Sequence, residues 1–257
     1  MIKQIHVWRL FLLPFFLFAS SNHSQAQIDV YDSFETTGLN SIWGATRMES
    51  NSFEIQSKIV CKGKGAAKIT LRAGDIAVPG NGKDLPTERD ELLEIDSLES
   101  IEGVKYEYQF SMFMPESFSI VPVRLVIAQW KQDCSAKAPC AKYSPVLAIR
   151  YVSGKLFVTL QIDSLRKTLY EHNGEIRNQW LSFKFQVRFS RQNDGEVKAF
   201  LNEKEIINYK GITSYPDGHP NPTKKNRYYF KMGLYRDRMS EPMSIYIDEY
   251  RKKEIRE

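Results

Sequence analysis

Residues 228–236 alternate apolar and polar side chains, which predicts a β-strand with two chemically different faces. The apolar face is expected to enter a core. The other face carries a cation and two phenols around a glycine: Tyr229, Lys231, Gly233 and Tyr235. A phenol beside a cation can give or take a proton near neutral pH when its pKa is lowered. This face therefore suits an acidic, ring-shaped ligand and proton-transfer chemistry.

Two further segments place polar side chains two residues apart, so that each pair shares one face of a strand. Arg89 and Glu91 form the first pair, in which the carboxylate is expected to hold the arginine fork ready for an acidic ligand. Gln129 and Lys131 form the second pair. Taken separately, the first pair is also typical of a surface ion pair and the second of a solvated edge strand. Tyr235 alone is also typical of a sandwich aromatic.

Together, arginine, glutamine, lysine and tyrosine on three strands are the groups that β-elimination from a uronic acid requires. The substrate carboxylate must be neutralised so that the C5 proton becomes acidic, a role that fits Arg89 and Gln129. A base must take that proton, and an acid must protonate the leaving glycosidic oxygen. A tyrosine can supply the acid, and as a phenolate it can also supply the base. The residue types therefore favour elimination chemistry centred on Tyr235.

The rest of the chain is expected to form short strands that position these groups. Residues 105–113 and 181–189 alternate most regularly. Further strands are predicted at residues 67–71, 124–131, 146–151, 155–162, 197–201 and 245–251. Turn residues separate them, and residues 202–204 are expected to form a tight hairpin. With no helical period, linker or repeat, this pattern predicts an all-β, concanavalin-like jelly-roll sandwich with a concave substrate groove.

The first 26 residues predict a secretory signal peptide. Two basic residues precede an apolar run at residues 10–19, and Ser24 and Ala26 mark a cleavage site after Ala26. The run is short for a bilayer, which disfavours the alternative of an N-terminal membrane anchor. We therefore expect one domain over residues 27–257, secreted or periplasmic and free of the membrane after cleavage.

Composition sets mild limits on the partners. The chain has 36 Lys and Arg against 31 Asp and Glu, a formal net charge of +5, which fits an acidic ligand bound in one basic groove. Nucleic acid is a poor candidate, because the protein is expected to be exported and no basic run stands out. No cofactor is expected, and the protein is expected to be a monomer. Structural calcium stays open, because sandwiches bind it through scattered carbonyls.

Three cysteines are present. Export permits disulfides, and the spacing of Cys134 and Cys140 predicts a bridge that staples a loop. Cys61 follows an apolar pair and is expected to be a buried free thiol. A metal site is not expected, since the sequence has no C-x-x-C motif and only His172 and His219 follow the signal peptide.

The strand at residues 229–235, Tyr-Phe-Lys-Met-Gly-Leu-Tyr, resembles the Tyr-Phe-Lys-Ala-Gly-Val-Tyr strand of jelly-roll alginate lyases. Its Lys-x-Gly-Leu-Tyr-Arg pattern is more similar still to the glucuronan lyase and heparin lyase I group. Weaker segments follow in the family's order along most of the mature chain: residues 33–35, 88–91, 108–115, 129–130, 195–202 and 246–248. The resemblance implies a secreted polysaccharide lyase that cleaves a uronate-containing anionic polymer by β-elimination and leaves an unsaturated uronate end.

The resemblance also implies roles for individual residues. Tyr235 is the catalytic acid and a candidate base, while Arg89 and Gln129 neutralise the substrate carboxylate. Lys231 would line the groove. Apart from the resemblance, the other residues expected to bind substrate are Glu91, Tyr229, Arg236, His172 and His219, and the two histidines do not match the family motif. His172 is expected in a loop.

One position departs from the family pattern. The family typically has Gln-x-His where this chain has Gln129 and Lys131. Lys131 is then the base with a depressed pKa, a cation that neutralises charge while Tyr235 works alone, or the mark of lost activity.

Two other functions fit the same scaffold. A non-catalytic, lectin-like carbohydrate-binding protein would explain Lys131. A glycoside hydrolase needs two carboxylates flanking the bond, and Glu91 with Glu94 has the wrong spacing for one strand face. For a lyase, the mild charge favours glucuronan-like polymers over heavily sulfated heparin. The loops at residues 132–144 and 209–227 are either solvated loops or walls of the groove, and in the second case their lysines are expected to contact the anionic substrate.

Overall fold

The computed structural model describes residues 27–44, 48–76, 87–133, 144–163, 166–216 and 225–256. These ranges contain one short 3-10 helix, Asp96–Leu98, and sixteen β-strands. The strands are β1 Asp29–Asp32, β2 Trp43–Gly44, β3 Phe53–Gln56, β4 Ala66–Leu71, β5 Thr87–Glu94, β6 Ser100–Ile101, β7 Lys105–Phe113, β8 Leu125–Gln132, β9 Leu147–Val152, β10 Lys155–Gln161, β11 Arg166–His172, β12 Trp180–Arg188, β13 Glu196–Leu201, β14 Lys204–Lys210, β15 Arg227–Asp237 and β16 Met243–Ile255.

The strands form two eight-stranded antiparallel sheets. In the front sheet the order is β11-β10-β9-β8-β15-β5-β2, with β6 beside β15. In the back sheet the order is β14-β13-β12-β7-β16-β4-β3, with β1 beside β16. Strands that are neighbours in sequence often belong to different sheets, as in jelly rolls. The predicted all-β jelly-roll sandwich is confirmed.

Aromatic side chains join the two sheets and fix which way the front strands face. The Trp130 ring on β8 lies 4.8 Å from that of Phe230 on β15 and 4.9 Å from that of Phe185 on the back sheet. All three rings are buried, and such pairs add about 0.5–1.5 kcal/mol each beyond the burial of their surface. Because side chains alternate along a strand, the residues flanking Trp130 and Phe230 are turned to the outer face.

Gly233 sets the close approach of β5 to β15. Its φ angle is 140°, and a Cβ atom there would lie 2.4 Å from the carbonyl oxygen of Asp90 and 2.9 Å from the Cα of Glu91. A side chain would therefore push the two strands apart. The glycine lets β5 pair with β15 across the candidate site.

Most predicted strands are confirmed, and so is the hairpin between β13 and β14, where Asn202 and Glu203 have φ angles of 47° and 67°. Strands β1, β2, β3, β6, β11 and β14 were not predicted. The first four have only two to four residues each, and β11 and β14 are edge strands with mostly exposed or half-buried side chains, so none of them has a regular apolar alternation.

The predicted buried thiol at Cys61 is wrong. Cys61 is exposed in the loop after β3, where its backbone N–H donates to Asp248 Oδ2 at 3.0 Å. Cys134 and Cys140 lie outside the described residues, as does the predicted signal peptide, so the disulfide, the cleavage and the domain boundary stay predictions. Within the described ranges, no helix has the length and apolar character needed to cross a membrane.

Candidate active site

The structure brings the residues of three separate segments together on the outer face of the front sheet. Tyr235 on β15 lies opposite Arg89 on β5. On its other side, β15 pairs with β8, where Lys231 lies opposite Gln129 and Tyr229 lies opposite Lys131. Neighbouring strands are about 4.8 Å apart, so these side chains share one continuous surface.

Glu91 is the centre of this cluster. Its Oε2 atom lies 3.1 Å from Lys231 Nζ and 3.2 Å from Arg89 Nε, and its Oε1 accepts a hydrogen bond from the Gln129 amide. Burial alone would raise the pKa of Glu91, but the two cations and the Gln129 hydrogen bond hold that pKa below its usual value. One carboxylate thus serves two cations, and the cluster keeps a net positive charge.

Burial separates the residues that face the groove from those that support them. Glu91 is 0 % exposed, so it orients its neighbours and has no surface on which to receive a substrate, contrary to the prediction. Gln129 and Lys231, at 2 % and 3 % exposed, form the floor. The half-buried residues that rise from this floor are Arg89, Lys131, Tyr229 and Tyr235.

Tyr235 is held by cations on its ring. The Arg89 guanidinium carbon lies 4.3 Å from the ring centroid, and that of Arg124 lies 5.4 Å from it. Such cation–π contacts contribute about 0.5–2 kcal/mol each. Among the described residues the Tyr235 hydroxyl has no hydrogen-bond partner. The phenol is therefore fixed by its ring, and its half-buried side chain lies on the outer face of the front sheet.

Arg150 is a site residue that the sequence analysis missed. It lies on β9 opposite Val126, which itself lies opposite Tyr235. Burial, with a contribution from nearby Arg166, lowers the pKa of Arg150 to about 10, so the guanidinium stays charged at neutral pH. The only sequence signal is a single charged residue in the otherwise uncharged strand Leu147–Val152.

The prediction that Arg236 binds substrate is wrong. Arg236 follows Tyr235 and therefore points to the opposite side of the sheet, where it is 0 % exposed. Its Nε donates to Glu88 at 2.9 Å, and its Nη1 donates to the carbonyl of Glu241 at 2.7 Å. Arg236 thus closes the end of the core and does not reach the groove.

The two histidines do not join the cluster. His172 is the last residue of β11, not a loop residue, and β11 is separated from β15 by three strands. It lies opposite Leu156, whose side chain is in the core, so its own side chain lies on the inner side of the sheet. There its Nδ1 pairs with the Tyr170 hydroxyl at 3.0 Å. The predicted role for His172 is wrong, and His219 lies outside the described residues.

In the part of the chain that the structure describes, no group of three or more His, Cys, Asp or Glu side chains is arranged to hold a metal ion. Glu94, the second carboxylate of the glycoside hydrolase hypothesis, is 1 % exposed and pairs in the core with Lys252 at 2.9 Å. It does not flank the groove beside Glu91. The described site is therefore a cationic surface with two phenols, Tyr229 and Tyr235.

A sandwich with a cationic face of this kind suits an acidic ligand. Residues 35–251 match the family model described as polysaccharide lyase. Because the match covers most of the chain, the chain belongs to this polysaccharide lyase family and is a polysaccharide lyase.

Solved structures agree in fold. An endo-β-1,4-glucuronan lyase from the fungus Trichoderma reesei is 17 % identical, with a TM-score of 0.66 over 87 % of this chain and 94 % of that one. An alginate lyase in complex with alginate trisaccharide is 10 % identical, with a TM-score of 0.58 over 89 % and 98 %. An alginate lyase from Corynebacterium sp. is 16 % identical, with a TM-score of 0.54 over 80 % and 82 %. No curated protein matches the chain.

Proposed function

We propose that this protein is a secreted lyase that cleaves a uronate-containing anionic polysaccharide by β-elimination and leaves an unsaturated uronate at the new chain end. The observation that carries this proposal is the arrangement around Glu91, where a buried carboxylate organises Arg89, Lys231 and Gln129 into a cationic floor beside Tyr235. Such a floor matches the negative charge that develops on the carboxylate side of the sugar when the C5 proton leaves.

In the proposed reaction, Arg89 and the second amide hydrogen of Gln129 neutralise the substrate carboxylate. The C5–H bond then breaks, its electron pair forms the C4–C5 double bond, and the bond from C4 to the glycosidic oxygen breaks. Tyr235 protonates the departing oxygen. The atoms balance without water, since one proton leaves C5, one proton reaches the leaving oxygen, and Tyr235 ends in the state in which it began.

The strand register favours Tyr235, as a phenolate, for the base as well. Lys131 lies opposite Tyr229, and Tyr235 is six residues further along β15, about 20 Å at the Cα positions for an extended strand. The base must lie within hydrogen-bond reach of the C5 proton, and the acid must lie within hydrogen-bond reach of the oxygen on C4 of the same sugar. The two groups must therefore be close to each other. We therefore assign Lys131 to binding the carboxylate of a neighbouring sugar.

The alternative is a non-catalytic, lectin-like carbohydrate-binding protein, for which Lys131 in place of the family's histidine is the specific observation. Both functions need the cationic floor, but only the lyase generates a double bond. Binding without any new ultraviolet absorbance on a bound polymer would favour the alternative.

The test is a continuous ultraviolet assay for the conjugated unsaturated uronate. Purified mature protein is incubated with glucuronan, alginate, heparan sulfate and heparin, beside the Tyr235→Phe variant. The lyase proposal expects absorbance to rise on at least one polymer and expects the variant to lose the rise. A rise that persists unchanged in the variant would remove Tyr235 from the mechanism. N-terminal sequencing of the exported protein tests cleavage after Ala26.

A further inference from the structure

The outer face of the front sheet continues beyond Tyr235 onto strands that the reaction does not use. Tyr235 lies opposite Val126, Val126 lies opposite Arg150, and Arg150 lies opposite Phe157 on β10. With strands about 4.8 Å apart, β9 is about 10 Å from β15. The Nε of Arg150 donates to Thr159 Oγ1 on β10 at 3.0 Å, so this donor faces the strand on the far side of β9 from β15. A sugar that reacts at Tyr235 therefore leaves Arg150 to another sugar unit.

Arg150 differs from the other buried cations in its lack of a counter-charge. Lys231, Arg236 and Lys252 each pair with a buried glutamate at 3.1, 2.8 and 2.9 Å. Arg150 is 6 % exposed, yet within the described ranges it has no ion pair and its single hydrogen bond goes to a neutral hydroxyl.

Burying a cation without an anion is unfavourable, so such groups are normally paired. The positive charges of Arg166 and Arg124 also act on Arg150, and because they have the same sign they increase the cost. A guanidinium has five N–H donors, of which only one is used here. The terminal nitrogens of Arg150 are not among the buried atoms without a partner, so they keep some accessible surface. Carboxylate oxygens would supply both the missing charge and the missing acceptors.

Phe157 supplies an apolar surface next to this charge. On β10, Leu156, Val158 and Leu160 are buried in the core or at its edge, whereas Phe157 lies half-buried on the outer face. A phenyl ring in this position gains little from the core. Together with a few placed polar groups, an aromatic wall is the usual lining of a ligand site. The carbon–hydrogen face of a pyranose ring fits against such a surface.

We propose that Arg150, Thr159 and Phe157 form a second uronate-binding position, with Arg150 as a bidentate ligand of the carboxylate and Phe157 as the wall for the sugar ring. This inference rests on the proposed function and adds to it a sugar unit that does not react. It makes the enzyme prefer chains long enough to occupy Tyr235 and Arg150 together. The position sets substrate length and affinity, whereas the reaction steps stay at Tyr235.

The experiment compares wild type with Arg150→Ala, Arg150→Lys and Phe157→Ala on the cleaved polymer and on size-defined oligosaccharides from it. For the polymer, Arg150→Ala should raise KM by about tenfold to a hundredfold, the effect of losing a charge-assisted bidentate contact, with little change in kcat. Arg150→Lys should recover only part of the affinity, because lysine lacks the planar fork. For oligosaccharides too short to reach β9, wild type and variants should have the same kcat/KM.

Arg251→Ala is the matched control, since Arg251 is an exposed arginine on the back sheet that pairs with Asp29, and its KM should stay at the wild-type value. Two kinetic results would overturn the inference: an unchanged polymer KM in a folded Arg150→Ala protein, or an equal loss on short and long chains. If Arg150→Ala does not fold, Phe157→Ala and Arg150→Lys carry the same test.

If wild type cleaves none of the polymers, the proposed function fails, and the second position is tested by calorimetric titration with glucuronan and alginate. Weaker binding of either polymer by Arg150→Ala, but not by Arg251→Ala, would support the position. Equal binding by wild type and Arg150→Ala, or no binding by either, would contradict it. The failure of the chemistry and the failure of the subsite are thus distinguishable.

Discussion

Lys231 Nζ on β15 lies 3.1 Å from Glu91 Oε2 on β5, and the two side chains are only 4 % and 1 % exposed. The pair connects the strand of Tyr235 to the strand of Arg89, so the geometry of the cationic floor depends on one buried carboxylate. Breaking a buried pair costs more than the pair contributes, because the remaining charge is left without a partner.

Replacing that carboxylate should damage both stability and activity. Glu91→Gln leaves Lys231 and Arg89 without their anion, so we expect a loss of about 3–5 kcal/mol in the free energy of unfolding. Denaturant unfolding measures it, and lyase activity should fall with it because Arg89 is no longer oriented. Glu205→Gln, which breaks the exposed pair with Lys198, is the control and should cost at most about 1 kcal/mol. Equal effects from both variants would contradict a central role for Glu91.

Removing the hydroxyl of Tyr235 should stop the chemistry and leave the fold intact. General acid–base groups contribute on the order of 10²–10⁴ to the rate, and Tyr235→Phe should lower kcat by at least that range with KM nearly unchanged. The melting temperature should not change, since the ring contacts with Arg89 and Arg124 remain. Tyr246→Phe on the back sheet controls for the loss of a phenol. A Tyr235→Phe enzyme with wild-type kcat would place the acid elsewhere.

Substitutions at Lys131 separate a base from a cation. Arginine keeps the positive charge but does not give up its proton. If Lys131 is the base, Lys131→Arg should therefore be inactive. We expect Lys131→Arg to keep activity within about fivefold of wild type and Lys131→Ala to lose about tenfold or more, mostly in KM. Steady-state kinetics on the polymer decides between the two roles. An inactive but folded Lys131→Arg enzyme would show that Lys131 takes the C5 proton.

Asp90 should make folding stability depend on pH near neutrality. Burial raises the pKa of Asp90 to about 7, and the neighbouring Asp75 adds to the increase, against a backbone hydrogen bond from Glu49. Because this pKa lies above the unfolded value of 3.8, the folded protein binds the extra proton between about pH 4 and 7, and stability falls as pH rises through that window. Asp90→Asn removes the effect.

Thermal unfolding at pH 5 and pH 8 measures this dependence. Between pH 5 and pH 8 the wild type should lose roughly 2–4 kcal/mol more of its free energy of unfolding than Asp90→Asn does. This difference corresponds to about 5–10 °C in Tm. Asp237→Asn, at an exposed pair with Arg124, should show no such gain. A wild type and an Asp90→Asn variant with parallel pH profiles would show that Asp90 is ionised throughout.

The strands differ in how clearly their own sequence marks them. The alternation of β15 predicted its buried and outer faces, because the two-residue period of a strand is a local property of the sequence. The same period placed Arg89 with Glu91 and Gln129 with Lys131. Edge strands such as β11 were missed, because little of their surface is buried and no apolar pattern marks them.

The sequence by itself determined the regularly alternating strands, their faces and the residue types that suit elimination from an acidic sugar. Only the tertiary structure decided which residues are neighbours, because pairing register and burial depend on contacts between distant segments. An irregularity between Val126 and Ala128 turns Val126 outward and brings Arg150 into the row of Tyr235. Strand pairing also buries Glu91 beneath its cations, and it places His172 opposite Leu156 on the inner side of the sheet.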